Sequence, residues 1–221
     1  MSDLTRLVVT YRKTGRLRFI GHLDLCRGIE RAMRRAALPI AYTQGFHERM
    51  RIAHGPALPV GGEGLGEIFV ATLAEPLDGT HLLRRLVRQF PDDLGIVSAV
   101  VEPESAPLIL KSLRRATYDL TVASDPPISG ADLSSAIDQA LAAEHLEAPA
   151  SAPNKPSSDI RPRIFDLAVT SVAPLTLTMN LSIAGDSYLG ADRCLQALAR
   201  LLPTPSTLRW VRLIRTGMFA D

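Results

Sequence analysis

Leu175-Thr176-Leu177-Thr178-Met179-Asn180-Leu181-Ser182-Ile183 alternates apolar and polar side chains without a break. Successive side chains of a β-strand point to opposite faces, so this stretch predicts a strand with one face buried and the other wet. Working outward, Ile164 to Val172 supplies the strand before it. Tyr118, Leu120 and Val122 alternate in an earlier one, and Leu208 to Arg215 closes the set. Between these strands the spacing changes to that of helices: Leu133, Ile137, Ala140 and Leu141 mark one apolar face, and Cys194, Leu195, Leu198, Leu201 and Leu202 another. The order is β-α-β-β-α-β.

The amino-terminal half repeats the same order. Leu4 to Arg12 reads as a strand, and Leu25, Ile29, Ala32, Met33 and Ala36 as the face of a helix that ends before Pro39. Strands are expected at about 39–43 and at Glu67 to Leu73, with a further extended region around Ile52 to Val60. A second helix carries Leu82, Leu83, Leu86, Val87 and Phe90, and Gly95 to Val101 closes as a strand. Two split βαβ units in succession predict an α+β fold of tandem, duplicated ferredoxin-like modules. Each would be an antiparallel sheet with both helices on one face, because right-handed crossovers place them on the same side. The modules are expected at 1–104 and 105–221, the second holding a Pro/Ser/Ala-rich mobile loop near 149–158.

A chain of 221 residues with 46% hydrophobic content can bury a core without disulfides or metals. Cys26 and Cys194 lie far apart, without CxxC or Cys/His spacing, and read as buried reduced thiols. No apolar run approaches the roughly 20 residues of a membrane span, and Met1 to Arg6 lacks the apolar stretch of a signal peptide. A cytoplasmic protein with no membrane partner is expected.

Charge is distributed unevenly. The net charge of +2 conceals +7 over Met1 to Arg51 and −5 over the remainder. One sign gathered on one segment is what the steering of a polyanion requires. Arg27, Arg31, Arg34 and Arg35 share the side of the first helix opposite its apolar stripe, a set of fork-shaped donors for phosphate. Arg16 and Arg18 precede that helix, and Arg49 and Arg51 follow it. The alternative is a solvated face partly neutralised by Asp24 and Glu30.

Candidates for chemistry are fewer. His22 falls at the start of the helix and His47 beside Phe46; with Lys13, two imidazoles are a set that cleaves RNA by acid–base transfer. Gly61, Gly62, Gly64 and Gly66 lack the Lys-Ser/Thr of a phosphate loop and read as a flexible hairpin, with Glu67 as an anchor or a site carboxylate. His54, His81 and His145 have no paired ligand spacing, so no metal is expected. Phe46, Tyr11, Tyr42 and Trp210 are the aromatics available to stack on a base. No complete catalytic motif is present.

Several motifs recur as a set. They are Tyr11-x-Lys13-x-Gly15-x-x-Arg18-Phe19-Ile20-Gly21-His22-Leu23-Asp24-Leu25, then Arg31-Ala32-x-Arg34-Arg35-Ala36-x-Leu38-Pro39, Gly45-Phe46-His47, and Leu58-Pro59-x-Gly61. Near the carboxyl end come Lys155, Asp159-Ile160-Arg161-Pro162 and Arg215-Thr216-Gly217. This pattern resembles the bacterial radical SAM-associated family of the DUF2344 type, found beside or fused to a radical SAM protein. Two departures are Gly21, where the family usually has Ser, and His47-Glu48-Arg49, where it has an Asn-Pro-His-like segment. The resemblance implies a radical SAM enzyme as partner. This chain has no three-cysteine motif to hold the iron–sulfur centre itself, and no cofactor is expected.

Two expectations follow. The first is a non-catalytic RNA-binding partner, for tRNA or rRNA, that presents substrate to a radical SAM modification enzyme. The alternative is a metal-independent endoribonuclease using His22 or His47 with Lys13; a looser resemblance, to the tandem ferredoxin-like RNA-processing proteins of CRISPR systems, rests on architecture alone. Asp24, Glu67, Lys155, Asp159, Arg161 and Arg215 are expected to line a cleft. Asp159 would either orient a guanidinium there or join an ion pair between strands.

Overall fold

Helix and strand periods in the sequence resolve into two units, Met1–Ser112 and Leu113–Asp221. The computed structural model describes residues 4–75, 77, 79–149 and 157–220. In unit 1, β1 (Thr5–Lys13) leads through a 3-10 turn (Gly15–Phe19) to α1 (His22–Arg35), then β2 (Ile52–His54), β3 (Glu63–Leu73), α2 (Gly79–Val87), β4 (Ile96–Pro103) and a single turn, α3 (Ile109–Ser112). β1 pairs antiparallel with β3 and with β4, and β2 pairs antiparallel with β3, so the strands run β4-β1-β3-β2.

Alternation decides which face is covered. Leu7, Val9 and Tyr11 of β1 and Phe69, Ala71 and Leu73 of β3 are buried on one side of the sheet, in one cluster with Leu25, Ile29, Ala32 and Met33 of α1 and Leu82 and Leu86 of α2. Both helices therefore pack on the same face, as two right-handed crossovers require. Lys13 and Glu67 continue the core-facing rows of β1 and β3 and are themselves buried. A register shift separates the pairs Tyr11↔Glu67 and Lys13↔Gly64, which places an extra residue on β3. A Cβ at Gly64 would overlap the Glu67 carboxylate, so only glycine admits that side chain there.

Unit 2 contains β5 (Arg115–Asp125), α4 (Gly130–Ala142), a small ribbon of β6 (Glu147–Ala148) and β7 (Ser158–Asp159), then β8 (Ile164–Val172), β9 (Leu175–Ser182), α5 (Ala191–Ala199) and β10 (Thr207–Phe219). The antiparallel pairs β10–β5, β5–β9 and β9–β8 give the order β10-β5-β9-β8. Apart from the β6–β7 ribbon, this pairing order matches β4-β1-β3-β2 of unit 1. α4 opens on a full capping box: the Ser129 hydroxyl accepts from the Asp132 amide at 3.1 Å, and the Asp132 carboxylate accepts from the Ser129 amide at 3.1 Å.

Two expectations change, and a third falls mostly outside the described residues. The strand expected at 39–43 is reduced to two isolated bridges, Ile40↔Leu73 and Tyr42↔Met50, and the pairing strand is Ile52–His54. Pro39 has no N–H, and its carbonyl meets Ala74 just past the end of β3, so only a short contact forms there. The glycine-rich stretch is not a flexible hairpin throughout, because Gly64 and Gly66 belong to β3. Of the loop near 149–158, residues 150–156 lie outside the described residues, as does Lys155. No helix among the described residues is long and apolar enough to cross a membrane.

Candidate nucleic-acid interface

α1 points its apolar stripe at the sheet, and Arg27, Arg31, Arg34 and Arg35 consequently face outward and are exposed. Arg27 pairs with Asp24 at 3.4 Å, both largely in water, a contact of little energetic weight. Arg31 and Arg34 have no ion-pair partner among the described residues, and neither has Glu30. The second helix, α2, crosses the same face and adds arginines that sequence reading passed over. Arg85 closes the carboxyl end of α1, donating from Nη2 to the carbonyls of Ala36 and Ala37, each at 2.7 Å. Arg35 donates to the Gln89 carbonyl at 2.7 Å. These side chains, with Arg84 and Arg88, line an open cavity of about 620 Å³ whose wall contains no carboxylate. Arg84 and Arg88 also lack an ion-pair partner among the described residues.

Other expected members of the cationic face are drawn into the fold. Arg18 lies 3.4 Å from the buried Glu63 and covers the Phe19 ring at 4.6 Å; Arg51 is held by Glu104 at 2.6 Å. Arg16 is exposed, and its backbone amide donates to Asp93 at 2.9 Å. Arg49 is exposed, with its backbone amide donating to the Thr43 hydroxyl at 3.0 Å.

Lys13, His22 and His47 make no hydrogen bond or ring contact with one another among the described residues. Lys13 is 1% exposed, and its ammonium donates to the carbonyls of Arg18 and Ile20, each at 3.2 Å. A buried ammonium needs such acceptors, and these tie the turn before α1 to the end of β1. His22 Nε2 is 3.6 Å from the Cys26 sulfur, one helical turn on, and its ring meets His54 edge-on with centroids 6.2 Å apart. His47 makes no hydrogen bond or ring contact among the described residues. His54 packs beside Phe69, its Nδ1 buried without a partner; burial first, and the nearby His22 second, hold its pKa down to about 4. The Cys26 thiol is half-buried rather than fully buried, and burial and Glu30 push its pKa up. Cys194 is fully buried and pushed up to about 12.

Within unit 2, Asp159 and Arg161 of the Asp159-Ile160-Arg161 signature bond to separate groups. The Asp159 carboxylate accepts from His145 Nδ1 at 2.8 Å and from the amides of Leu146 at 3.0 Å and Arg161 at 2.9 Å, which lowers its pKa to about 2. The Arg161 guanidinium turns away and donates to the Leu141 carbonyl at 2.8 Å and to the Ile164 carbonyl at 3.0 Å, closing the end of α4. Arg215, on β10, is 1% exposed. Of the aromatic candidates, Tyr11 is in the core of unit 1, Trp210 donates to Asp192 at 2.8 Å, and Tyr42 and Phe46 are exposed.

In fold, the chain is similar to the crystal structure of a Cbf5-Nop10-Gar1 complex, with a TM-score of 0.54, 10% identity and 96% of this chain covered. It is also similar to that of an archaeal box H/ACA sRNP Nop10-Cbf5 complex, with a TM-score of 0.50, 9% identity and 96% covered. It spans about half of each matched chain, 48% and 47%. Among curated proteins, no sequence matches this one. A family model matches residues 6–190, which takes in α1, α2 and the Asp159-Ile160-Arg161 signature, and the chain therefore belongs to the family described as uncharacterized protein conserved in bacteria, DUF2344.

Proposed function

We propose that the chain is a tandem of two ferredoxin-like modules, and that the first binds RNA through the arginine band of α1 and α2 and presents it to a radical SAM modification enzyme without catalysing a reaction itself. The repeated strand orders, β4-β1-β3-β2 and β10-β5-β9-β8, support the modular reading. One observation carries the RNA reading. Arg31, Arg34, Arg84 and Arg88 stay exposed without ion pairs among the described residues, while neighbouring arginines are tied to carboxylates or carbonyls. Guanidiniums that nothing in the fold employs are matched to phosphate oxygens, which accept two parallel donors at once. The sRNP among the similar structures is consistent with this reading, though at 9% identity that likeness concerns fold alone. The acid–base cleavage reading lacks comparable support, because Lys13 is buried and bound to two carbonyls. The radical SAM partner rests on the motif resemblance.

The test is equilibrium binding of tRNA and of mixed-sequence single-stranded RNA as a function of salt. Binding should weaken steeply with salt. Replacing Arg31, Arg34, Arg84 and Arg88 together by Ala should flatten the log–log salt slope by about 3, roughly 0.7–0.9 per phosphate contact, while leaving the thermal unfolding midpoint in place. Absence of binding at low salt would remove the reading.

A further inference from the structure

Beside α1 in unit 1, residues 43–49 form a loop whose base is pinned and whose tip is bare. The Tyr42↔Met50 bridge closes it, the Thr43 amide donates to the Arg49 carbonyl at 2.9 Å, and the Arg49 amide donates back to the Thr43 hydroxyl at 3.0 Å. Gly45, at φ 132°, turns the chain in a conformation that side chains with a Cβ rarely adopt. Phe46 follows it and is as exposed as in an extended chain, at 106%, with no ring contact in its own unit. The pinned base leaves this ring in water, where both of its faces are open to stacking.

Between this loop and α1 lies a cavity of about 370 Å³. Its apolar surfaces are Leu23 and Met50, its carboxylates Glu30 and Glu48, and its guanidiniums include Arg34 and Arg49. An isolated phosphate would need only the arginines, and an apolar peptide side chain would need neither charge. A nucleotide brings both complements together: a base edge with N–H donors for a carboxylate, and anionic phosphates for the guanidiniums.

We infer that the loop 43–49 and α1 form a nucleobase site, in which an unpaired base of RNA stacks on Phe46, on the same loop but outside the cavity lining, while its flanking phosphates meet Arg34 and Arg49 in the cavity. The inference rests on the RNA reading above and narrows it to single-stranded or looped RNA. A continuous duplex keeps its base faces stacked and its major groove too narrow for side chains, and so offers nothing to Phe46.

Fluorescence anisotropy with a labelled single-stranded RNA and a blunt duplex of the same length tests it, using the full chain and Phe46→Ala, Phe46→Tyr and Phe46→Leu. The single strand should bind more tightly than the duplex. Phe46→Ala should weaken single-strand binding roughly tenfold to hundredfold, the range of one lost base–aromatic stack, and leave duplex binding and the unfolding midpoint unchanged. Tyr should restore the affinity, whereas Leu should not. If Phe46→Ala binds the single strand as wild type does, while the four-arginine variant loses affinity, the nucleobase site is wrong and the RNA reading stands. Restoration by Leu also overturns the nucleobase site, pointing to a general apolar dock for a protein. If neither RNA binds at low salt, both readings fall.

Discussion

The two units share one strand order and use their helices in opposite ways. α1 and α2 carry Arg27, Arg31, Arg34, Arg35, Arg84 and Arg85 against Asp24 and Glu30; α4 and α5 carry Asp132, Asp138 and Asp192 against Arg193. Both units close one helix with an arginine from elsewhere in the unit, Arg85 at the end of α1 and Arg161 at the end of α4. In unit 2 the neighbouring helix arginine is also turned to the fold: Arg193 donates to the Pro149 carbonyl at 3.2 Å and to Ser158 at 3.0 Å. In unit 1 the cations left over stand in water. Of two units with the same pairing order, one has helix charges that maintain it and the other has helix charges that exceed what maintenance needs.

Acid should separate the units most strongly. The folded pKa of His54, about 4, lies below its unfolded value near 6.5, so the fold favours the neutral ring. The associated stability is complete above about pH 6.5 and lost as pH falls toward 4, on the order of 3 kcal/mol at most. Asp159 in unit 2 is lowered to about 2 from an unfolded value near 3.9. Its contribution holds above about pH 4 and fades only as pH falls toward 2. Unit 1 should therefore loosen first, seen in the His54 ring proton by NMR, while the fluorescence of Trp210, the single tryptophan, still reports an intact unit 2. Simultaneous loss of both signals near pH 5 would break the contrast.

Arg161→Ala sharpens the comparison from the other side. It removes charged donors from the Leu141 and Ile164 carbonyls and should cost about 2 kcal/mol in urea unfolding followed by Trp210, without changing RNA affinity. A loss of RNA binding with stability intact would move the interface into unit 2. The smallest effect should come from Ser129→Ala, which opens the capping box of α4 and should lower stability by about 1 kcal/mol in the same assay.

The arginine band was only half legible. Arg31, Arg34 and Arg35 announce themselves by helical spacing opposite an apolar stripe, and the structure keeps them outside. Arg84, Arg85 and Arg88 were hidden because net charge over residues 52–221 averages them with the acids that follow, such as Asp92, Asp93, Glu102 and Glu104. Arg18 and Arg51 look available in the sequence because their partners, Glu63 and Glu104, lie 45 and 53 residues away. Phe46 could be picked out as an aromatic, but only coordinates tell a bare loop tip from a core ring such as Tyr11.

By itself, the sequence determined β1, α1, β3, α2 and β4 of unit 1 and β5, α4, β8, β9, α5 and β10 of unit 2, since a side-chain period of 2 or 3.6 is local and survives in one dimension. Tertiary structure alone decided which charges are engaged. It buried Lys13 at the end of β1, set Glu67 over Gly64, and left Arg31, Arg34, Arg84 and Arg88 in water. The physical reason is that an ion pair or a desolvated ammonium depends on distance in space, and these partners meet only after β1, β3 and the two crossover helices have folded together.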